Sequence, residues 1–311
     1  MEFHEPVFKE EVVNFLASSR RRAIYLDCNL GGGGHAHSIL LNSHVDSLLI
    51  GVDLDTYAIN FSTKILDKFG SRVIFINDNF SNIDKILLDL GIEAVDGILM
   101  DLGLSSYQID EASYGFSFDN DGPLDMRMNK AQKISAFELI NSESPEKLLR
   151  ILYRYGEEKY SGLIVKAIVD ARKHGEVKTT GELKEIILGA APKKGLKPVK
   201  TLSRVFQAIR IAVNEELSNL ELFLRKIPKV LNEDGKIAVI SYHSLEDGIV
   251  KKNFVNYSGK CICPPGMPKC GCNPVKVLNI LDKKGITPGK EEIEKNPRAK
   301  SARLRRAIKC C

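Results

Sequence analysis

The chain has 311 residues, of which 43% are hydrophobic and 27% charged, enough for a sizeable core in one large or two medium domains. A net charge of +5 is mild, so its distribution matters more than its sum. No run has the length of a membrane span, and the first residues lack the apolar run of a secretion signal. We therefore expect a cytoplasmic protein with reduced cysteines.

Short apolar runs alternate with segments of helical period through the first hundred residues. The predicted strands are 23–28, 48–53, 73–76 and 95–101. Helical period is found before the first run and between the others. This repeated alternation predicts an α/β fold with a parallel, doubly wound sheet.

Four acids fall at or just beyond the carboxyl ends of these strands: Asp27, Asp53, Asp78 and Asp101. Such sheets bind ligands at the carboxyl ends of their strands. A single acid there is explained by a turn. Four of them along one edge predict a pocket lined by carboxylates.

The alternation stops after the fourth strand. Segments 146–154, 162–173 and 181–188 look helical, and no comparable strand precedes residue 204. A helix or helix pair, broken near Pro228, is predicted over 204–231, and further strands over 236–242, 275–281 and 302–308. The predicted domains are therefore 1–106 with 204–311, and an inserted helical domain over 107–203.

A run of four glycines, Gly31 to Gly34, follows the first strand and leads into a helical segment. Two ligand classes fit such a loop. Gly31, Gly33 and Ala36 match a dinucleotide fingerprint, with Asp53 about 20 residues on as its ribose acid. The other class is S-adenosylmethionine, whose sulfonium suits the acids at the strand ends. No phosphate-binding P-loop motif is present.

Several longer motifs occur in the same order as in one known family. They are FHEPVFKEEVV near the start, DGILMDLGLSSYQID at 96–110, GFSFDNDGPLDMRM at 115–128, TLSRVFQAIRIAVNEEL at 201–217, VISYHSLEDGIVK at 239–251 and NPRAKSARLRRA near the end. The chain resembles, along its whole length, the bacterial 16S rRNA (cytosine-N4)-methyltransferases called MraW or RsmH. The resemblance implies a class I methyltransferase fold with a helical insertion. It also implies S-adenosylmethionine as methyl donor and a cytidine in the decoding region of the small-subunit rRNA as acceptor.

Cofactor contacts are implied where this chain matches the family's motifs. They are Gly33, Gly34, His35, Asp53, Phe80, Asp101 and Gln108. The chain departs from the family's usual residues at Asn29, where threonine is common, and at Tyr107, where proline is frequent. Neither departure removes a matched contact, and both alter the expected rim of the pocket.

Methylation of an exocyclic amine needs alignment of the reacting atoms and acceptors for the amine protons. Asp101 is the first candidate acceptor, with Ser105 and Ser106 close behind it, and His243 is the second. A helix N-cap is the alternative role for the serines, and a hydrogen-bonded loop histidine is the alternative for His243. No covalent intermediate is needed, so Cys28 is predicted to be a core residue.

The loop that contains Asp125 and Arg127 is predicted to border the cytosine. Two acid-free basic clusters predict contacts with RNA phosphates. The first contains Lys193, Lys194, Lys197 and Lys200, and the second Arg298, Lys300, Arg303, Arg305, Arg306 and Lys309.

Four cysteines, Cys261, Cys263, Cys270 and Cys272, raise the alternative of a structural zinc site, although their one-residue spacing is unusual for zinc and no metal is predicted for the chemistry. Two rival functions stay open on the residues alone: an NAD-dependent oxidoreductase, and a non-catalytic ribosome-assembly factor. The sequence also leaves the oligomeric state open, a homodimer included.

Overall fold

The chain folds into two compact units, each with a hydrophobic core of its own. The computed structural model describes residues 6–190, 198–261, 263, 271 and 274–310. The first unit, which we call the sheet unit, joins Met1–Gly103 to Leu217–Cys311. The second, the helical unit, is the segment between them, Leu104–Glu216.

Strands and helices alternate through the first part of the sheet unit in the predicted order. Their bounds are α1 Lys9–Leu16, β1 Ile24–Asp27, α2 Gly34–Leu41, β2 Leu48–Asp53, α3 Thr56–Leu66, β3 Val73–Asn77, α4 Ile83–Asp89 and β4 Val95–Asp101. Short 3-10 turns at Asp67–Arg72 and Phe80–Asn82 precede β3 and α4.

Helices account for the regular structure of the helical unit over its described residues. They are α5 Ser106–Asp110, α6 Ala136–Ser142, α7 Pro145–Gly156, α8 Ser161–Ala171, α9 Thr180–Ala190 and α10 Pro198–Asn214. Their buried faces form one core that includes Ile151, Ile164, Leu183 and Phe206.

The remaining elements lie at or beyond the end of the helical unit. They are α11 Glu216–Val230, β5 Leu231–Ser241, α12 Ser244–Asn256, β6 Leu278–Ile280, α13 Lys290–Lys295 and β7 Arg303–Lys309. With these strands the sheet has seven members in the order β3-β2-β1-β4-β5-β7-β6. Strands β1 to β5 are parallel, and β7 is antiparallel to both of its neighbours. The predicted doubly wound parallel sheet is confirmed.

Both faces of the sheet are buried, which explains why its strands are continuous apolar runs. Successive residues of one strand enter different cores: Leu26 and Ile50 pack with the α11 side chains, whereas Tyr25 and Leu49 pack with those of α1 and α2. Because β1 to β5 run parallel, their carboxyl ends lie along one edge of the sheet.

The helix break predicted near Pro228 is wrong. The break lies at Glu215, whose φ of 51° separates α10 from α11. Arg210 donates two hydrogen bonds of 2.8 Å to the Glu216 carboxylate across the break. Pro228 lies inside α11, two residues before its end at Val230.

The second domain boundary also differs from the predicted residue 203. Contacts place it after Glu216, because α10 packs inside the helical unit. Its backbone approaches α7 so closely that a Cβ added to Gly156 would lie 2.7 Å from the Arg204 carbonyl oxygen.

Three residues of the C-terminal basic cluster are engaged inside the sheet unit, which argues against the phosphate contacts predicted for these three. Arg305, 4% exposed, donates to both oxygens of Asp247 at 2.6 and 3.0 Å. Arg306 pairs similarly with Asp282. Lys309 donates to two backbone carbonyls near the end of α11. The cations lie on β7, and their partners come from distant parts of the chain.

Several predictions fall on residues outside the described ranges, namely Lys193, Lys194, Lys197, Cys270 and Cys272. Cys28 is a core residue, 1% exposed, as predicted. Over the described ranges, no helix combines the length and apolar composition that a membrane crossing requires.

We predict that Arg305→Met lowers the free energy of unfolding by about 3 kcal/mol, because Asp247 keeps a partly buried charge without its main partner. Chemical denaturation of the purified variant measures this loss. Arg21→Met is the control: Arg21 is 81% exposed and faces Asp46 at 3.5 Å, so the expected change is below about 0.5 kcal/mol. Equal effects of the two substitutions would contradict the structural role of Arg305.

Candidate active site

The glycine loop connects β1 to α2, and two of its glycines are required by the backbone. Gly33 caps α2 with a φ of 76°, a left-handed conformation that favours glycine. Gly34 packs under the N-terminal segment, since a Cβ there would lie 2.6 Å from Pro6 Cγ. That segment is tied down by a 2.6 Å hydrogen bond from the Phe8 amide to Glu292 Oε1.

Asp53 fastens this loop to the end of β2. Its Oδ2 accepts a 2.8 Å hydrogen bond from the Gly31 amide, and its Oδ1 accepts one from the Asp55 amide at the same distance. Burial raises the pKa of Asp53 to about 6, although these amides favour the charged form. The Gly31 amide is therefore engaged within the protein, and Gly31 itself has a left-handed φ of 51°.

Asp27 and Asp101 lie at the ends of the neighbouring strands β1 and β4. Asp27 is 1% exposed, and burial raises its pKa well above the usual range, with the Asp101 charge adding to the effect. Burial likewise raises the pKa of Asp101 to about 7. The charges of Asp53 and Asp101 both act on Asp27, so the three carboxylates form one electrostatic group.

His35 lies on the first turn of α2 beside this group, 7% exposed. Its Nε2 is 3.6 Å from Asp101 Oδ2. Burial lowers the pKa of His35 to about 4, so the ring is neutral at pH 7 and leaves the carboxylates uncompensated.

The other predicted residues at this edge have local partners. Phe80 follows β3, is 8% exposed and packs edge-on against Phe223 with ring centroids 5.8 Å apart. Asp78, the fourth acid, accepts hydrogen bonds from the Asn79 amide and from Asn82. Asp78 thus stabilises its own turn.

His243 follows β5 and is the N-cap of α12. Its Nδ1 accepts from the Glu246 amide at 3.4 Å, and its Nε2 lies 3.2 Å from Glu246 Oε1. The alternative role weighed for His243, a hydrogen-bonded loop histidine, is therefore observed, since it caps α12. A catalytic role for His243 stays a prediction.

Ser105 and Gln108 belong to the helical unit, where they form a capping box. The Gln108 amide donates to Ser105 Oγ at 3.2 Å, and the Ser105 amide donates to Gln108 Oε1 at 3.1 Å. The N-cap role weighed for Ser105 is thus observed. Contacts of either residue with a cofactor or substrate stay predictions.

Asp125 and Arg127 also lie in the helical unit, on a loop that is ordered by its own contacts. Arg127 donates to both Asp125 oxygens, at 2.7 and 3.1 Å, and Lys130 approaches the same carboxylate at 2.9 Å. Asn214 bonds to the backbone of Met126 and Met128 on this loop. The contact between Asp125 and Arg127 therefore fixes the conformation of this loop. A contact of either residue with a substrate stays a prediction.

Comparison with known proteins decides the family. The family model described as MraW methylase matches residues 1–310. Ribosomal RNA small subunit methyltransferase H of Clostridium botulinum is 47% identical over 306 residues, 98% of each chain. The protein of the same name from Carboxydothermus hydrogenoformans is 46% identical over 310 residues, 99% of each chain.

The chain belongs to the MraW methylase family. The resemblance noted in the sequence is confirmed.

Two residues of this methylase site were not singled out as site residues from the sequence. Asp27 was recognised only as a strand-end acid, and its near-complete burial marks it as part of the site. Tyr242 donates a 2.9 Å hydrogen bond to Asp101 Oδ1 from the end of β5. Its position after an apolar run, beside His243, was the available signal.

We predict that Gly34→Ala destabilises the methylase by about 1–3 kcal/mol, because the new methyl group overlaps Pro6. Thermal unfolding measures the change. Gly248→Ala on α12 is the matched control: its Cβ meets no atom within 4 Å, so a gain of about 0.5–1 kcal/mol is expected. A loss in both variants would show that the effect is not specific to the glycine loop.

A second prediction concerns pH. A carboxyl whose pKa is raised by folding binds its proton more tightly in the native state, so its contribution to stability falls as pH rises from the ordinary pKa of 3.8 to the folded value of about 7, and is nearly constant above that. His35, whose pKa folding lowers to about 4, has the opposite slope below its ordinary pKa of 6.5, so the test is the difference between wild type and Asp101→Asn. The melting temperature of Asp101→Asn relative to the wild type should rise between about pH 4.5 and 7 and level off above pH 7. A gap between the two proteins that is independent of pH over this range would contradict this.

Proposed function

We propose that this methylase transfers a methyl group from S-adenosylmethionine to the N4 amine of a cytidine in the decoding region of 16S rRNA, within the small ribosomal subunit. The names of its curated relatives support small-subunit rRNA as substrate. The structural observation that carries the choice of donor is the group of carboxylates beside the glycine loop, formed by the buried Asp27 and the partly buried Asp53 and Asp101. The cytoplasm, where the substrate is found, is the proposed location.

This carboxylate group fits a cationic nucleoside. Within the described residues, no lysine or arginine forms an ion pair with Asp27, Asp53 or Asp101, and His35 is neutral. A sulfonium compound relieves the mutual repulsion of the carboxylates, whereas the pyrophosphate of a dinucleotide adds to it. The buried Asn29 Oδ1 has no hydrogen-bond partner within the described residues, which leaves it available to a polar group of a ligand.

The donor would be held by residues from three strand ends. Gly33, Gly34 and His35 would contact it from the glycine loop, Asp53 would accept hydrogen bonds from the ribose hydroxyls, and Phe80 would pack against it. Gln108, from the helical unit, is proposed as a further contact. When bound, S-adenosylmethionine supplies an electrophilic methyl group.

Asp101 is the proposed acceptor for the cytosine amine. The amine lone pair is delocalised into the ring, so a hydrogen bond to a carboxylate orients it and assists loss of its proton. A pKa of about 7 suits a group that must accept a proton near neutral pH. Ser105 and His243 are the second candidates for contacts with the amine.

Substrate recognition is proposed for the helical unit. The loop fixed by Asp125 and Arg127 would border the cytosine, which must leave its stack to be methylated. The exposed Lys200 on α10 belongs to the basic cluster still proposed to contact phosphates, which predicts weaker RNA binding at high salt.

The deciding experiment supplies S-adenosylmethionine with a labelled methyl group and small subunits from a strain that lacks this protein. We predict label on the N4 position of one decoding-region cytidine, located by nuclease digestion and mass spectrometry. Asp101→Ala should abolish the transfer. Asp84→Ala removes an exposed acid of the same unit and should leave the transfer unchanged.

The two rival functions predict different outcomes when this protein is tested for heat stability and for methyl transfer. An oxidoreductase would be stabilised against heat by NAD and not by S-adenosylmethionine. An assembly factor without catalysis would bind subunits and transfer no label. Label on another base or position would keep methyl transfer and overturn the assignment to cytidine N4.

A further inference from the structure

A hydrogen-bonded chain leads from the carboxylate group to the first turn of α12. Tyr242 Oη donates to Asp101 Oδ1 at 2.9 Å, and the Tyr242 amide donates to Glu246 Oε2 at the same distance. Glu246, 3% exposed, faces His243 through its other oxygen. Tyr242 is thus held by its backbone and directs its hydroxyl at Asp101.

The Tyr242 ring is seated on the backbone that follows β4. Gly103 has a φ of 143°, and a Cβ added there would lie 3.0 Å from Tyr242 Cδ2. Any side chain at this position would displace the ring. Gly103, two residues after Asp101, therefore leaves space for the Tyr242 ring, whose hydroxyl donates to Asp101.

The hydrogen bond from Tyr242 makes the two carboxylate oxygens of Asp101 inequivalent. Oδ1 is occupied by the phenol, whereas Oδ2 lies 3.6 Å from His35 Nε2 on the side of the glycine loop. The side chain of Asp101 is 25% exposed, so the carboxylate is accessible to a substrate. Fixing one oxygen by a buried donor orients the other.

We propose that Tyr242 is a positioning residue for methyl transfer, holding Asp101 through Oδ1 so that Oδ2 receives the cytosine amine. This inference rests on the proposed function, in which Asp101 contacts the amine.

The charges around Asp101 make the proposal testable by pH. It is faced by Asp27 from β1, His35 from α2 and Glu246 from α12, with Glu292 of α13 acting on Tyr242. Burial raises the pKa of Asp101, the Glu246 charge raises it further, and the Tyr242 hydrogen bond lowers it. Burial beside these acids also raises the pKa of Tyr242, so its hydroxyl remains a donor.

The test compares the pH dependence of methyl transfer to small subunits in four proteins. In the wild type the rate should rise with pH through about 7 as Asp101 ionises. Tyr242→Phe should move this rise upward by about one pH unit, giving roughly a fivefold loss at pH 7, a loss approaching tenfold at about pH 6 and nearly the full rate at pH 9. Glu246→Gln should move it downward. Tyr257→Phe, which removes a phenol bonded only weakly to the Arg225 carbonyl, should leave it unchanged.

A uniform loss at every pH in Tyr242→Phe, with the rise in place, would assign the residue a structural role and overturn the proposal. Absence of any transfer by the wild type would instead refute the proposed function. In that case, carboxyl NMR of protein with labelled aspartate still tests the network, because Tyr242→Phe must raise the pKa of Asp101. An unchanged titration would overturn the proposal independently of activity.

Discussion

Burial of like charge at one edge of the sheet is the constraint on which this structure depends. Asp27, Asp53 and Asp101 are brought together because β1, β2 and β4 are adjacent and parallel. Each ionised carboxylate costs free energy in the absence of a cation. The two apolar cores that cover the sheet, together with the many backbone hydrogen bonds along it, must offset that cost. A cationic ligand lowers this cost and an anionic ligand raises it, so the site favours cations.

The same acids also organise the surrounding backbone. Asp53 accepts hydrogen bonds from its own turn and from the glycine loop, so one side chain links the ends of β1 and β2. Pro6 closes on Gly34 from the other side. The backbone around the carboxylates is therefore held by segments far apart in sequence, Pro6 included.

Much of the sheet and of the carboxylate edge was predictable, because strands buried on both faces are apolar without interruption and parallel strands align their ends. The break at Glu215 was not predictable, since neither a glycine nor a proline marks it. The basic tail was predicted to contact phosphates because the acids that pair with Arg305 and Arg306 are not visible in the local sequence. It contains no acid of its own, whereas Asp247 and Asp282 lie far from it in sequence. Local pattern shows which residues are charged, and only the fold shows which charges are already neutralised.

The place of β7 has a consequence for synthesis of the protein. This strand, Arg303–Lys309, is inserted between β5 and β6 rather than added at an edge. Until it emerges from the ribosome, β5 presents an unpaired edge, and Asp247 on the neighbouring α12 has not yet met Arg305. The sheet can therefore be completed only after Arg303–Lys309 has been synthesised, well after β1 to β5. Truncations that remove β7 leave the edge of β5 unpaired and Asp247 without Arg305, so they should aggregate rather than yield a smaller active enzyme.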